Sequence, residues 1–174
     1  MKKGARGRPS EQPDFRLLGR RAGRVRTHQR RHDAVGTRRR DLLEGALAYY
    51  QATGKRKLLG LMEKYLDHIA KIFGPGTDQK HGYCGHQEIE IALMKLYYAT
   101  QNRKWLDLCT YFINERGKQP HYFDGEAVAR GANPKTYWAK TYEYSQSHIP
   151  VREQTKVVGH AVRAFYMYTA MADL

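Results

Sequence analysis

Two Gly-His pairs hold the residues best suited to chemistry in this chain. Gly85-His86-Gln87-Glu88-Ile89-Glu90 opens one apolar-periodic run, and Gly159-His160-Ala161-Val162-Arg163-Ala164 sits inside another. A neutral imidazole both donates and accepts hydrogen bonds, so two of them presented from separate helices suit a shared pocket for a hydroxyl-rich ligand. Gln87, Glu88, Glu90, Glu153 and Gln154 extend the polar set. The competing reading is that each histidine only packs and finds its partners inside the fold. The glycine before each imidazole tilts the balance, because it lets a backbone or a ligand come close. Glu88 and Glu90 are two residues apart and cannot share a helix face. They are therefore not an acid/base pair with each other, and at least one should make a cap or an internal hydrogen bond.

Other reactive groups are sparse. Cys84 lies two residues from His86, which is a weak basis for a nucleophile. Cys109 falls on an apolar stripe and reads as core. Cys84 and Cys109 make neither a close metal-ligand spacing nor a disulfide framework. There is no glycine-rich phosphate loop, no His-Glu-x-x-His and no Gly-x-Ser-x-Gly elbow.

The elements that must position the histidines are helical. Leu43, Ala46, Leu47 and Tyr50 make one stripe, and Leu58, Met62, Leu66, Ile69 and Phe73 a second. Gly54 separates them, and Gly74-Pro75-Gly76 ends the second helix. Ile89, Ala92, Leu93 and Leu96 make a third stripe; Trp105, Cys109, Phe112 and Ile113 make a fourth, closed by Gly117. Tyr50 to Leu59 aligns with Tyr97 to Leu106 at a constant offset of 47 residues, so the four helices form two repeated αα-hairpins. Such hairpins stack either as an open solenoid of the HEAT type or as a closed α/α toroid around a pocket.

Residues 118–151 break the rhythm with Pro120, Pro134, Pro150, Gly125 and Gly131, and carry His121, Tyr122, Phe123, Tyr137, Trp138, Tyr142, Tyr144 and His148. A long aromatic excursion of this kind fits a pocket rim. The final run, from about Val157 to Leu174, is apolar nearly all round and demands neighbours on several sides. Its cover is not supplied by a further hairpin, so the domain is expected to be incomplete.

Charge is segregated. Of the 31 Lys and Arg residues, 14 lie in residues 1–40 with only three acids, whereas residues 41–174 hold 17 basic and 14 acidic residues. The tail lacks a hydrophobic period and is expected to be disordered. It reads as a nucleic-acid-binding arm, as a solvated tail, or as out-of-frame translation joined to a real domain; it has no regularly interleaved aromatics for stacking bases. No apolar stretch follows Met1-Lys2-Lys3 and none approaches membrane-spanning length, so no membrane partner is expected and a reducing cytoplasmic setting is the default.

His81-Gly82-Tyr83-Cys84-Gly85-His86-Gln87-Glu88-Ile89-Glu90, then His121-Tyr122-Phe123-Asp124, then Tyr144 to Gln154, then Val158-Gly159-His160-Ala161-Val162-Arg163-Ala164, together resemble glycoside hydrolase family 127, whose members include bacterial β-L-arabinofuranosidases. The likeness runs from about Leu42 to Leu174. It implies an (α/α)6 barrel followed by β-sandwich domains, and retaining hydrolysis of a terminal L-arabinofuranoside. In place of the usual two carboxylates, the family uses a zinc-bound cysteine thiolate as nucleophile and a glutamate as acid/base. Barrel histidines bind the sugar hydroxyls. His86 and His160 match two of those positions, with His148 and Glu153 as further substrate-binding candidates.

The family's nucleophile, zinc ligands and acid/base glutamate lie downstream of the segment represented here. No catalytic residue and no complete zinc-ligand set is therefore expected in this chain. Cys84 stands where relatives often have proline. A third sugar-binding histidine would precede the first hairpin, where Arg40-Asp41-Leu42-Leu43-Glu44 stands instead. The expectation is an all-α chain. Residues 41–174 form about half of the barrel, hold part of a pocket for an arabinofuranose-containing oligosaccharide, and can self-associate through an open side. The rival is an αα-repeat binding module with a basic nucleic-acid-binding arm.

Overall fold

The computed structural model describes residues 40–136 and 141–174. The basic tail up to residue 39, and Tyr137 and Trp138 of the aromatic excursion, lie outside the described residues. Within them the chain is all-α. Helix α1 covers 40–53, followed by α2 (Lys57–Ile72), α3 (Ile89–Thr100), α4 (Arg103–Glu115), α5 (Tyr122–Ala129) and α6 (Ala161–Asp173). Short 3-10 turns occupy Pro134–Thr136, Glu143–Ser145 and Val151–Glu153. The extended pairing among the described residues is a bridge between Phe73 and Lys80.

The repeat inferred from the sequence is also a repeat of geometry. Gly54 and Gln101 occupy equivalent positions, both with left-handed backbone at φ 69° and 55°. Each closes its hairpin's first helix with a bond to the carbonyl four residues back: Gly54 N–H to Tyr50 O at 2.8 Å and Gln101 N–H to Tyr97 O at 2.7 Å. In the second hairpin Asn102 then caps α4, its side-chain oxygen accepting from Lys104 N–H at 3.2 Å.

The core follows the predicted stripes. Leu43, Ala46 and Leu47 of α1 and Leu59, Met62 and Leu66 of α2 are buried with Ala92, Leu93 and Leu96 of α3 and Trp105, Cys109, Phe112 and Ile113 of α4. Burial on α3 is wider than its stripe, taking in Glu90, Ile91 and Met94 as well. This helix packs against both α4 and α6. That central position explains why its apolar residues run almost all round it.

The irregular excursion contains a helix that its prolines and glycines conceal, α5. Tyr122 and Phe123 at its start pack against Tyr83, with ring centroids 5.8 and 5.4 Å apart. Helix α6 begins at Ala161, later than the apolar run suggests. Ala164, Met167 and Ala170 face inward, whereas Val162 and Phe165 are 50% and 72% exposed. No helix among the described residues is long and apolar enough to cross a membrane.

Candidate functional site

His86 lies just before α3, and His160 is the residue that caps the start of α6. The two imidazoles therefore stand at the N-terminal ends of neighbouring helices, close enough for the charge of one to bear on the other. The ring of His86 meets Tyr166 of α6 edge-on at 5.8 Å, and the ring of His160 meets Tyr144 at 5.1 Å. Arg163, one turn beyond His160, donates to Gly85 O at 2.5 Å and lies 5.1 Å above the Tyr144 ring. From the other side Arg40 of α1 lies 4.9 Å over the Tyr166 ring, hydrogen-bonds Tyr166 and is coupled to the charge of Glu88.

These surroundings fix the protonation of His86. Burial, and then the Arg163 guanidinium, push its imidazole down to about 4. The Glu88 carboxylate is 3.1 Å from Nδ1, which by itself would favour the charged ring. It makes no hydrogen bond to that atom. His86 is thus a neutral group at pH 7. His160 Nδ1, like His86 Nδ1 and His148 Nδ1, is buried without a hydrogen-bond partner among the described residues.

The further candidates fall elsewhere. His148 is half-buried and electrostatically beside His121 rather than the His86–His160 pair. Glu153 is exposed on the Val151–Glu153 turn, its backbone N–H bound to Pro150 O at 2.9 Å. Gln154 donates to Gln146 O and Ile149 O, at 3.1 and 2.9 Å, and supports a loop. A half-open cavity of about 580 Å³ lies between His81, Tyr83, Glu115, His121 and Tyr122 and includes neither His86 nor His160.

Beneath the histidines runs a buried polar layer. Gln87 Nε2 donates to Ser145 O at 2.6 Å and to Gln146 Oε1 at 2.7 Å. Gln146 Nε2 donates in turn to Val158 O at 2.8 Å and His160 O at 3.3 Å. Glu90 and Arg116, each about 1% exposed, form an ion pair at 3.9 Å. Arg116 also donates to Cys84 O at 2.7 Å and Ser145 O at 3.3 Å. Glu90 is therefore held in a buried ion pair, while Glu88, also buried, lies beside His86. Gly159 has a structural reason of its own. At φ +79° a Cβ there would lie 1.8 Å from Glu143 O, so the close approach it permits is that of the backbone.

Neither thiol is placed as a zinc-bound nucleophile would be among the described residues. Cys84 Sγ donates to Glu90 Oε1 at 3.4 Å, and Cys109 Sγ to Glu90 O at 3.4 Å. Burial, with the Glu90 carboxylate beside both, pushes each well above the usual thiol range, so neither is a thiolate at neutral pH. No three His, Cys, Asp or Glu side chains converge on a point that could hold a metal among the described residues. This donor set does not fit zinc.

Tyr144 belongs to the aromatic excursion that the sequence marks as a pocket rim, whereas Arg40, Arg163, Tyr166, Arg116 and Gln146 carry no site role in the sequence reading. Arg163 carried a usable signal, because it follows His160 by three residues on one helix face. The others reach the site through tertiary packing.

Residues 39–174 match the family model described as β-L-arabinofuranosidase, GH127 catalytic domain. A non-reducing end β-L-arabinofuranosidase from Bifidobacterium longum subsp. longum is 37% identical over 134 residues, covering 76% of this chain and 20% of the relative. A crystal structure of a GH127 β-L-arabinofuranosidase from Geobacillus stearothermophilus T6 superposes with a TM-score of 0.73 at 56% identity, covering 77% of this chain and 21% of that one. A second GH127 β-arabinofuranosidase structure gives 0.61 at 43% identity, with 78% and 18% covered. The chain spans about a fifth of the length of these relatives.

Proposed function

Since the chain belongs to the GH127 β-L-arabinofuranosidase catalytic-domain family, we propose that it supplies part of the sugar-binding pocket of a glycoside hydrolase acting on terminal β-L-arabinofuranosides. The observation that carries this reading is the placement of His86 and His160 at the N-terminal ends of two helices joined by the Arg163–Gly85 bond and the His86–Tyr166 ring contact, with His86 held neutral by burial. Neutral imidazoles donate and accept, which matches a sugar hydroxyl. Tyr144 and Tyr166 beside them present ring faces and edges of the kind that pack on a sugar ring. The αα-hairpins agree with part of an (α/α)6 barrel.

In this reading the described residues bind and orient the sugar. His86 and His160 hold hydroxyls, and Arg163 fixes the Gly85 turn that presents His86. Zinc, which the resemblance implies, would supply an activated thiolate. Its ligands and the acid/base group are proposed to lie outside the described residues.

The test is binding without turnover. L-Arabinose should raise the melting temperature of the 174-residue chain. His86→Ala and His160→Ala should each weaken that binding roughly five- to thirtyfold, as expected for loss of one or two hydrogen bonds of about 1 kcal/mol each. An aryl β-L-arabinofuranoside should not be hydrolysed with or without added zinc. Unchanged protection in both variants, or zinc-dependent release of the aryl alcohol, would overturn the reading.

A further inference from the structure

The two histidines sit on different helices, so their spacing depends on whatever joins the segment before α3 to the segment before α6. Three links are visible. Arg163 of α6 reaches Gly85 O. Arg116 of α4 reaches Cys84 O and Ser145 O. The third is a pair of fully buried amides, Gln87 and Gln146, which runs from the neighbour of one histidine to the backbone of the other, beside a route through the 144–145 backbone, where Ser145 O accepts from Gln87 Nε2 and Tyr144 O from His160 N–H.

Gln87 follows His86 directly. Its Nε2 donates to Gln146 Oε1 at 2.7 Å, and Gln146 Nε2 passes the link on to Val158 O and His160 O, at 2.8 and 3.3 Å. Both faces of the Gln146 amide are thus used, the oxygen toward the His86 side and the nitrogen toward the His160 side. Gln146 is held in turn by its own backbone. Its φ of 51° is left-handed, its N–H donates to Glu143 O at 2.9 Å, and its carbonyl accepts from Gln154 Nε2. A glutamine in a left-handed conformation at full burial is costly unless its bonds require it.

We infer that Gln146 is a positioning residue, working with Gln87 as an amide bridge that sets the separation of the His86 and His160 imidazoles. The bridge holds the histidines in register before any ligand arrives. A sugar that contacts both then needs no loop ordering, and binding loses less to conformational entropy. The amide is suited to the task because it donates and accepts without charge. A carboxylate at the same place could accept from Gln87 but could not donate to the two carbonyls. For a ligand this inference rests on the sugar-binding reading above, but the bridge itself can be tested without one.

The experiment uses the full 174-residue chain with isotope-labelled histidine and tyrosine. In the wild type the His86 ring should show nuclear Overhauser contacts to Tyr166, and the His160 ring to Tyr144. Gln146→Met keeps the length and apolar stem but removes donor and acceptor together. It should retain the helical circular dichroism and lose both sets of ring contacts. Gln87→Met leaves Gln146 bound to Val158 and His160. It should lose the His86–Tyr166 contacts and keep those of His160. Arabinose protection should fall in both variants, and the double variant should be no worse than Gln146→Met alone, the mark of two groups acting as one. A folded Gln146→Met or Gln87→Met chain that keeps every ring contact overturns the inference. So does unfolding of both variants, which would make the amides supports of the core alone. A wild type that shows the contacts but no arabinose protection defeats the sugar reading and leaves the bridge standing.

Discussion

His86 shows how little of a residue's chemistry is set by its type. The sequence marks it as a possible hydroxyl ligand, but its protonation follows from burial and then from the Arg163 and Arg116 guanidinium groups of two other helices. This makes a prediction about stability against pH. The imidazole titrates at about 4 in the folded chain and near 6.5 when unfolded. Between those values the unfolded chain binds more protons, so stability rises with pH there. The contribution of His86 is full above about pH 6.5 and is lost as pH falls through about 4. In His86→Asn the denaturation free energy should lose that part of its slope, at most about 1.4 kcal/mol per pH unit for one proton. Parallel pH profiles for wild type and variant would show that His86 is not buried and neutral. The histidines were legible as candidates because the Gly-His pairs stand out from an otherwise apolar or solvated background. Tyr144 was legible only as one aromatic of a pocket-rim excursion, and Arg40 was not, since an arginine beside a basic tail looks like its neighbours until the chain folds.

At the scale of elements, periodicity and repetition carried α1 to α4, because each of those helices buries one stripe and each hairpin turn repeats. The structure adds the reason for the turn: a left-handed residue at 54 and at 101, filled once by glycine and once by glutamine. Helix α5 was hidden because its eight residues include Gly125 and follow Pro120, both read as breaks. The same logic separates two glycines that the sequence treats alike. Gly54 has nothing within 4 Å of an added Cβ, so Gly54→Ala meets only the cost of a left-handed alanine, about 1–2 kcal/mol. At Gly159 the Cβ would strike Glu143 O in addition to the φ of +79°, and that contact joins backbone to backbone, which cannot rotate away. Gly159→Ala should therefore cost clearly more, on the order of 3 kcal/mol or above. Urea titration of the two variants checks this. Equal losses would mean that the Glu143–Gly159 approach is not maintained in solution.

Seen whole, the molecule joins a nearly neutral helical body to a basic first 40 residues, and among the described residues one side of α6 is exposed. Ala164, Met167 and Ala170 seat that helix on α3 and α4, while Phe165 and Val162 point outward, with Val157 77% exposed just before the helix. The all-round apolar character read from the sequence is thus met on one side only. A largely exposed phenylalanine with apolar neighbours is a surface that water disfavours, and covering a Phe side chain is worth about 1.5–3 kcal/mol. The chain should self-associate through this face. Sedimentation velocity at rising concentration is expected to show a shift from monomer to larger species. Phe165→Ser should weaken that association by roughly ten- to a hundredfold, the ratio that this burial energy implies. It should leave the melting temperature of the monomer nearly unchanged, because Phe165 makes little of the core. Salt separates this effect from the charged tail: apolar contact strengthens or persists in added sulfate, whereas association through the arginine-rich residues would dissolve as charge is screened. A chain that remains monomeric at high concentration, or a Phe165→Ser variant that associates as the wild type does, would show that the outer side of α6 is tolerated by solvent and that the basic segment governs what the molecule meets.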